Sequence, residues 1–145
     1  MSGPVHIVCP HCAAVNRVPA GKPAREGRCG RCREGLFTGK PVELTTATFE
    51  RHLTGSHIPL VVDFWAPWCA PCLAMAPAFE AAAASLEPKA RLAKVNTEKE
   101  QALGGRFAIR GIPTVIIFRR GEEAARQSGA MDLAALRAWI SPYLD

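Results

Sequence analysis

Six cysteines in a chain of 145 residues fall into three C-x-x-C pairs, Cys9/Cys12, Cys29/Cys32 and Cys69/Cys72. No other feature limits the fold as much. Sulfurs on cysteines with two residues between them emerge together from a tight turn or a helix start, so each pair suits either metal binding or disulfide exchange. The N-terminus, Met1 to His6, lacks a basic start followed by an apolar run, and no apolar stretch approaches the roughly 20 residues of a membrane span. A cytoplasmic chain with no membrane association is therefore expected, in a compartment where thiols stay reduced and a structural disulfide framework is disfavoured.

Two of the pairs read as one metal site. Cys9-Pro10-His11-Cys12 and Cys29-Gly30-Arg31-Cys32 are separated by 16 residues, a spacing that fits a four-cysteine zinc site. Residues 1–40 carry only short apolar stretches, Val5–Val8, Val15–Val18 and Leu36-Phe37. That is too little core to fold without a staple, and one structural Zn²⁺ would supply it. Four soft thiolates select Zn²⁺ among common divalent ions, and a complete cysteine set leaves His6 and His11 unnecessary as ligands. These residues are predicted to form a zinc-ribbon module, with a second domain over residues 41–145.

The second domain alternates strand-like and helix-like segments. Val42–Leu44 reads as an edge strand, Ala47–Leu53 as a helix behind Thr45/Thr46, and Leu60–Trp65 as a buried strand. A helix from Cys72 to about Leu86 carries Pro77, which should bend it. Arg91–Asn96 is a strand, and Thr97-Glu98-Lys99-Glu100 has the form of a capping box opening a helix that Gly104-Gly105 should end. Thr114–Phe118 and Ala124–Ser128 make a hairpin around Arg119–Glu122, and Leu133, Leu136, Trp139 and Ile140 have helical spacing behind Asp132. The order predicts an α/β fold, a central mixed sheet flanked by helices.

The third pair lies where a buried strand gives way to a helix. That edge of an α/β sheet carries working groups, and a helix N-terminus favours a thiolate over a thiol. Cys72 is near enough to Cys69 to close a small disulfide ring, and Pro71 sits in the first helical turn, where its missing N–H costs nothing.

Val62-Asp63-Phe64-Trp65-Ala66-Pro67-Trp68-Cys69-Ala70-Pro71-Cys72 together with Gly111-Ile112-Pro113-Thr114 closely resembles the thioredoxin family. With the N-terminal cysteines added, the resemblance extends to its zinc-ribbon-bearing bacterial branch, the thioredoxin 2 type, over essentially the whole chain. It implies a thioredoxin fold and a thiol–disulfide oxidoreductase in which Cys69 attacks a substrate disulfide and Cys72 resolves the mixed disulfide. It implies that Asp63 manages the proton of Cys72, that Lys94 pairs with Asp63 and tunes it, and that Pro113 is cis. Trp68, Ile112, Gly129 and Ala130 would form the docking surface for disulfide-containing protein substrates. No organic cofactor would be bound: electrons would come from NADPH through a flavin-dependent thioredoxin reductase. A monomer is expected. The family's usual Gly-Pro between the cysteines is replaced here by Ala70-Pro71, which bears on the reduction potential.

Three other readings compete with this one, the first being a redox-sensing ribbon in which oxidation of the four thiolates ejects the zinc and changes activity. Cys9-Pro10-His11-Cys12 matches the active-site tetrapeptide of strongly oxidising thioredoxin relatives, but no buried strand is expected to feed it and no helix to follow it. The net charge of +5 lies wholly in residues 1–40, which hold Arg17, Lys22, Arg25, Arg28, Arg31, Arg33 and Lys40 against Glu26 and Glu34. Such a module could instead recruit a protein or nucleic-acid partner onto a thioredoxin scaffold. Scattered arginines in aromatic-poor loops are a weak signal for nucleic acid, and cations also offset the charge of a zinc–thiolate centre.

Overall fold

The computed structural model describes residues 3–144. A two-stranded antiparallel ribbon comes first, β1 (Val5–Val8) and β2 (Val15–Val18), paired Val5 to Val18 and Val8 to Val15. The remaining strands form one five-stranded sheet: β3 (Val42–Glu43), β4 (Leu60–Trp65), β5 (Arg91–Asn96), β6 (Thr114–Arg119) and β7 (Glu122–Ser128). Their spatial order is β3-β5-β4-β6-β7, with β5 parallel to both β3 and β4, and the pairs β4–β6 and β6–β7 antiparallel. Among the described residues four α-helices cover the sheet, α1 (Thr46–Gly55), α2 (Ala70–Leu86), α3 (Gln101–Arg106) and α4 (Leu133–Ile140).

Strand β4 is central because every one of its residues up to Phe64 is buried and its apolar run has no polar face. Alternation then sorts the sheet into two cores. Val61, Leu92, Val115 and Ile117 pack with Met75, Phe79 and Ala82 of α2 and Leu136 and Ile140 of α4. Val62, Phe64, Ala93, Val95 and Ile116 pack on the opposite face with Phe49 and Leu53 of α1 and Leu103 of α3. Asp63 and Lys94, paired in register, thereby fall on the α2 face. The β6–β7 turn is two residues, Arg120 (φ 53°) and Gly121 (φ 80°), the left-handed pair that matches hairpin twist.

Several boundaries differ from expectation. Helix α2 starts at Ala70 rather than Cys72 and runs on through Pro77. The predicted capping box at Thr97 and Glu100 does not form. The Thr97 hydroxyl donates to the Trp65 carbonyl at 3.0 Å, and Asn96 Oδ1 accepts from the backbone of Glu98 and Lys99, so the chain turns and α3 starts only at Gln101. Glu100 instead accepts from the backbone and hydroxyl of Thr46, bracing the start of α1. Gly104 and Gly105 do not end α3, which continues to Arg106. Strand β1 runs up to Val8 just before Cys9, but it is half of a two-stranded ribbon with His6 exposed, not a buried strand.

The ribbon is held to the sheet by Arg91, a fully buried side chain at the start of β5. Its guanidinium donates to the carbonyls of Val8 (3.1 Å) and Leu36 (2.7 Å), pairs with Glu87 (3.5 Å) and stacks on Phe37. Glu87 also accepts from the Gly39 backbone, and its own carbonyl accepts from Arg25.

Candidate functional site

Two sulfur sites emerge, and their local construction begins alike. Cys69 is the N-cap of α2, its Sγ accepting the Cys72 backbone N–H at 3.2 Å. Cys69 and Cys72 are joined in a disulfide with Cα atoms 5.2 Å apart, so the molecule is in its oxidised state. Both sulfurs are buried with Ala66, against the half-buried Trp65 and Ile112. Cys69 Sγ lies 3.7 Å from the Ile112 carbonyl oxygen, and the Ile112–Pro113 peptide bond is cis. Gly129, at φ 101°, donates its N–H to the Pro113 carbonyl at 2.9 Å, which brings Gly129 and the exposed Ala130 to the same edge. Trp68 is 69% exposed beside the nucleophile and lines a shallow groove with Ile112.

Asp63 is 1% exposed, and its Oδ1 has no hydrogen-bond partner among the described residues. Burial pushes its pKa up to about 7, against a smaller lowering by Lys94 and with a further rise from Glu43. Lys94 faces Asp63 across the β4–β5 pairing, but its ammonium rests over the Trp65 ring, 4.3 Å from the centroid. Its effect on Asp63 is thus a field from nearby charge rather than a contact. Two participants escaped the sequence reading. Trp65, expected in the core, donates from Nε1 to Glu43 at 3.2 Å, and burial raises the pKa of Glu43. A lone acid on an edge strand offers no sequence signal for either role.

The other four cysteines converge. Their sulfurs all lie within 4.8 Å of one another, with Cys9–Cys32 and Cys12–Cys29 each at 3.6 Å. A tetrahedral zinc with Zn–S of about 2.3 Å needs sulfurs about 3.8 Å apart, so the set fits that ion. The two knuckles are near copies. Cys9 Sγ accepts from the backbone of His11 and Cys12, and Cys29 Sγ from that of Arg31 and Cys32. Ala13 (φ 62°) and Arg33 (φ 70°) are both left-handed and close the turns onto the Cys9 and Cys29 carbonyls. Asn16, another residue the sequence did not single out, donates to Cys29 Sγ at 3.4 Å and accepts from Gly30 at 2.9 Å. Donors of this kind, led by the Cys32 backbone, pull Cys29 down to about 6. Cys32 also accepts from the Glu34 backbone, yet burial and the three adjoining thiols push it up to about 12. Four protons do not sit comfortably here, whereas a divalent cation would stabilise the thiolates. The ring of His6 stacks on His57 instead of turning to the cluster.

The thioredoxin family model matches residues 40–142, and the model for the N-terminal segment of thioredoxin 2 matches residues 8–34. Thioredoxin C-3 of Corynebacterium nephridii is 39% identical over 138 residues, covering 95% of this chain and 94% of its own. The thioredoxin of Rhodospirillum rubrum is 38% identical over 98 residues, 68% of this chain and 94% of its own. Among solved structures, a mutant thioredoxin from Halobacterium salinarum superposes with a TM-score of 0.68 at 27% identity, covering 75% of this chain and 95% of that one. No helix among the described residues is long and apolar enough to cross a membrane. With a mixed sheet, a redox-capable cysteine pair at a helix start and a four-cysteine cluster able to hold a metal, the chain belongs to the thioredoxin family as a thiol–disulfide oxidoreductase carrying a thioredoxin 2-type N-terminal segment.

Proposed function

We propose that this chain is a cytoplasmic, monomeric protein-disulfide reductase, with a zinc-ribbon module over residues 1–40 and a thioredoxin domain over residues 41–145. The observation that carries the reading is the placement of Cys69 at the N-cap of α2, its sulfur facing the Cys72 N–H, with Trp68 exposed beside it. Partial positive charge and an unpaired donor at that position stabilise the thiolate of the reduced form.

The thiolate of Cys69 attacks one sulfur of a substrate disulfide held along Ile112, Gly129 and Ala130. The substrate's S–S bond breaks, its departing sulfur leaves as a thiolate and takes a proton from solvent, and a mixed disulfide remains on Cys69. The carboxylate of Asp63, on the α2 face behind the pair, takes the proton of Cys72. The Cys72 thiolate then attacks Cys69 sulfur and releases the second substrate thiolate. Two electrons have passed to the substrate, and the protein holds the disulfide seen here. A flavin-dependent thioredoxin reductase drawing on NADPH restores the dithiol. Lys94 holds the Asp63 pKa down toward neutrality. Pro113 presents the Ile112 backbone to the substrate.

Cys9, Cys12, Cys29 and Cys32 would hold one structural Zn²⁺, which when bound keeps the four sulfurs deprotonated and ties the two knuckles together. Insulin reduction followed by turbidity tests the reading. Activity should vanish in Cys69→Ser, whereas Cys72→Ser should accumulate mixed disulfides; turbidity persisting in Cys69→Ser sinks the assignment.

A further inference from the structure

The net charge of residues 1–40 is +5, more than the −2 of four thiolates on one Zn²⁺ would offset. Part of it surrounds a cavity of about 540 Å³ between the end of β2, the 3-10 turn Ala24–Glu26 and the stretch before Cys29. Its floor is apolar, with the buried side chains of Val18 and Leu36 and the rings of Pro19 and Pro23. Its rim carries exposed Arg17, Lys22 and Arg28 against one carboxylate, Glu26. Arg28 spends a weak hydrogen bond on the Arg33 carbonyl at 3.3 Å. The side chains of Arg17 and Lys22 have no hydrogen-bond or ion-pair partner among the described residues, whereas Arg91, Arg106 and Arg126 each pair with a glutamate.

The wall is built rather than incidental. Pro19 and Pro23 fix their φ angles on either side of Lys22, whose N–H closes a turn onto the Pro19 carbonyl at 3.2 Å. Gly27 lets the 3-10 turn lie on Leu36: a Cβ there would meet Leu36 Cδ1 at 3.1 Å and the Ala24 carbonyl at 3.2 Å. A preformed cleft with unpaired cations over an apolar floor loses little order on binding.

We propose that this cavity is a docking site for an acidic segment of a partner protein, with carboxylates on Arg17 and Lys22 and an adjacent aliphatic side chain on the exposed rings of Pro19 and Pro23. The volume lies in the range of small binding sites, and the floor is aliphatic. No aromatic side chain lines it, so a nucleic-acid base would find nothing to stack on.

The cavity belongs to the ribbon, which docks at the end of the sheet away from Cys69. The ribbon meets the sheet at Arg91, the first residue of β5, opposite Leu60, the first of β4, and Cys69 follows the far end of β4. Six strand residues span about 20 Å. On the reductase reading, on which this extension rests, a substrate using both sites carries its acidic segment at least about six extended residues from its disulfide.

The test uses the full zinc-loaded chain and a short fluorescein-labelled peptide alternating Glu and Leu, read by fluorescence anisotropy. The comparison probes are the same peptide with Gln for Glu and a labelled oligothymidine of equal charge. The Glu peptide should bind in a salt-dependent way, the Gln peptide should not, and Arg17→Glu with Lys22→Glu should weaken binding about tenfold or more. Zinc content and insulin reduction should be unchanged in that variant. If the reversed variant loses zinc, Arg17→Gln with Lys22→Gln carries the same comparison. Absence of binding, equal binding by the variant, or tighter binding of oligothymidine would overturn the proposal. Failure of insulin reduction in the unaltered chain would sink the reductase reading and leave the anisotropy result standing.

Discussion

Asp63 offers the sharpest check on the electrostatics of the redox site, because its burial implies a stability that depends on pH. Its folded-state pKa is about 7, pushed up chiefly by desolvation, against an ordinary value near 3.8. Below the ordinary value the carboxyl is protonated in both folded and unfolded chains, and nothing is lost. Between the two values the native state binds the extra proton, so stability falls as pH rises through this window. A shift of about three pKa units at roughly 1.4 kcal/mol each makes the ionised carboxylate cost about 4 kcal/mol above pH 7. Asp63→Asn keeps the shape and removes the charge. It should therefore match the wild type near pH 4 and exceed it by about 4 kcal/mol near pH 8, measured by urea denaturation of the oxidised form. Glu43, whose pKa burial also raises, slopes the same way in both proteins, so only its coupling to Asp63, the smallest contribution to the Asp63 shift, survives in the difference. The same variant should slow insulin reduction about tenfold or more, since it removes the acceptor for the Cys72 proton. A stability difference that stays flat from pH 4 to pH 8 would refute the argument.

Three further outcomes follow from other parts of the molecule. Arg91→Ala strands Glu87 and two carbonyls inside the junction and should cost about 3–5 kcal/mol, read as a lowered urea midpoint in saturating zinc; a loss under about 1 kcal/mol would show the ribbon is not anchored there. If the four-cysteine cluster holds zinc as proposed, a strong chelator should expose the β1–β2 amides of the zinc-loaded chain to hydrogen exchange while those of β4 stay protected, and equal loss in both would mean that the sheet depends on the ribbon. Gly105→Ala should stabilise by about 0.5–1 kcal/mol, because a Cβ there meets nothing and the residue lies within α3; thermal denaturation reads the sign.

The sheet was legible where its residues interact with near neighbours in sequence. The Leu60–Trp65 run, the helix after Cys69 and the Asp132 cap, whose side chain takes the Ala135 N–H at 2.8 Å, all declare themselves locally. What stayed hidden depends on partners far along the chain. Arg91 reads as the first residue of a strand, and its buried role rests on carbonyls 83 and 55 residues away. Thr97 and Glu100 carry a genuine capping pattern, yet the pull of Trp65 and Thr46 from other elements is what their side chains answer.

The cysteine pairs show why a motif alone does not name its chemistry. In all three, the second cysteine's N–H reaches the first sulfur, at 3.4, 3.5 and 3.2 Å, and the following residue donates back to the first cysteine's carbonyl at 3.0, 2.9 and 3.1 Å. The first turn is the same object three times. Divergence comes at that same following residue. Ala13 and Arg33 swing into the left-handed region, and Ala14 and Glu34 return to accept from the N–H of Cys9 and Cys29, so each knuckle ends and turns its sulfurs toward the other. Leu73 instead continues a helix, whose N-terminal charge stays with Cys69 and whose turn keeps Cys72 as its nearest sulfur. Neither Ala13 nor Arg33 is the glycine that would have announced a left-handed turn. The distinction between gripping a metal and passing electrons therefore rests on one backbone angle per pair, set by the strand or helix that receives the chain.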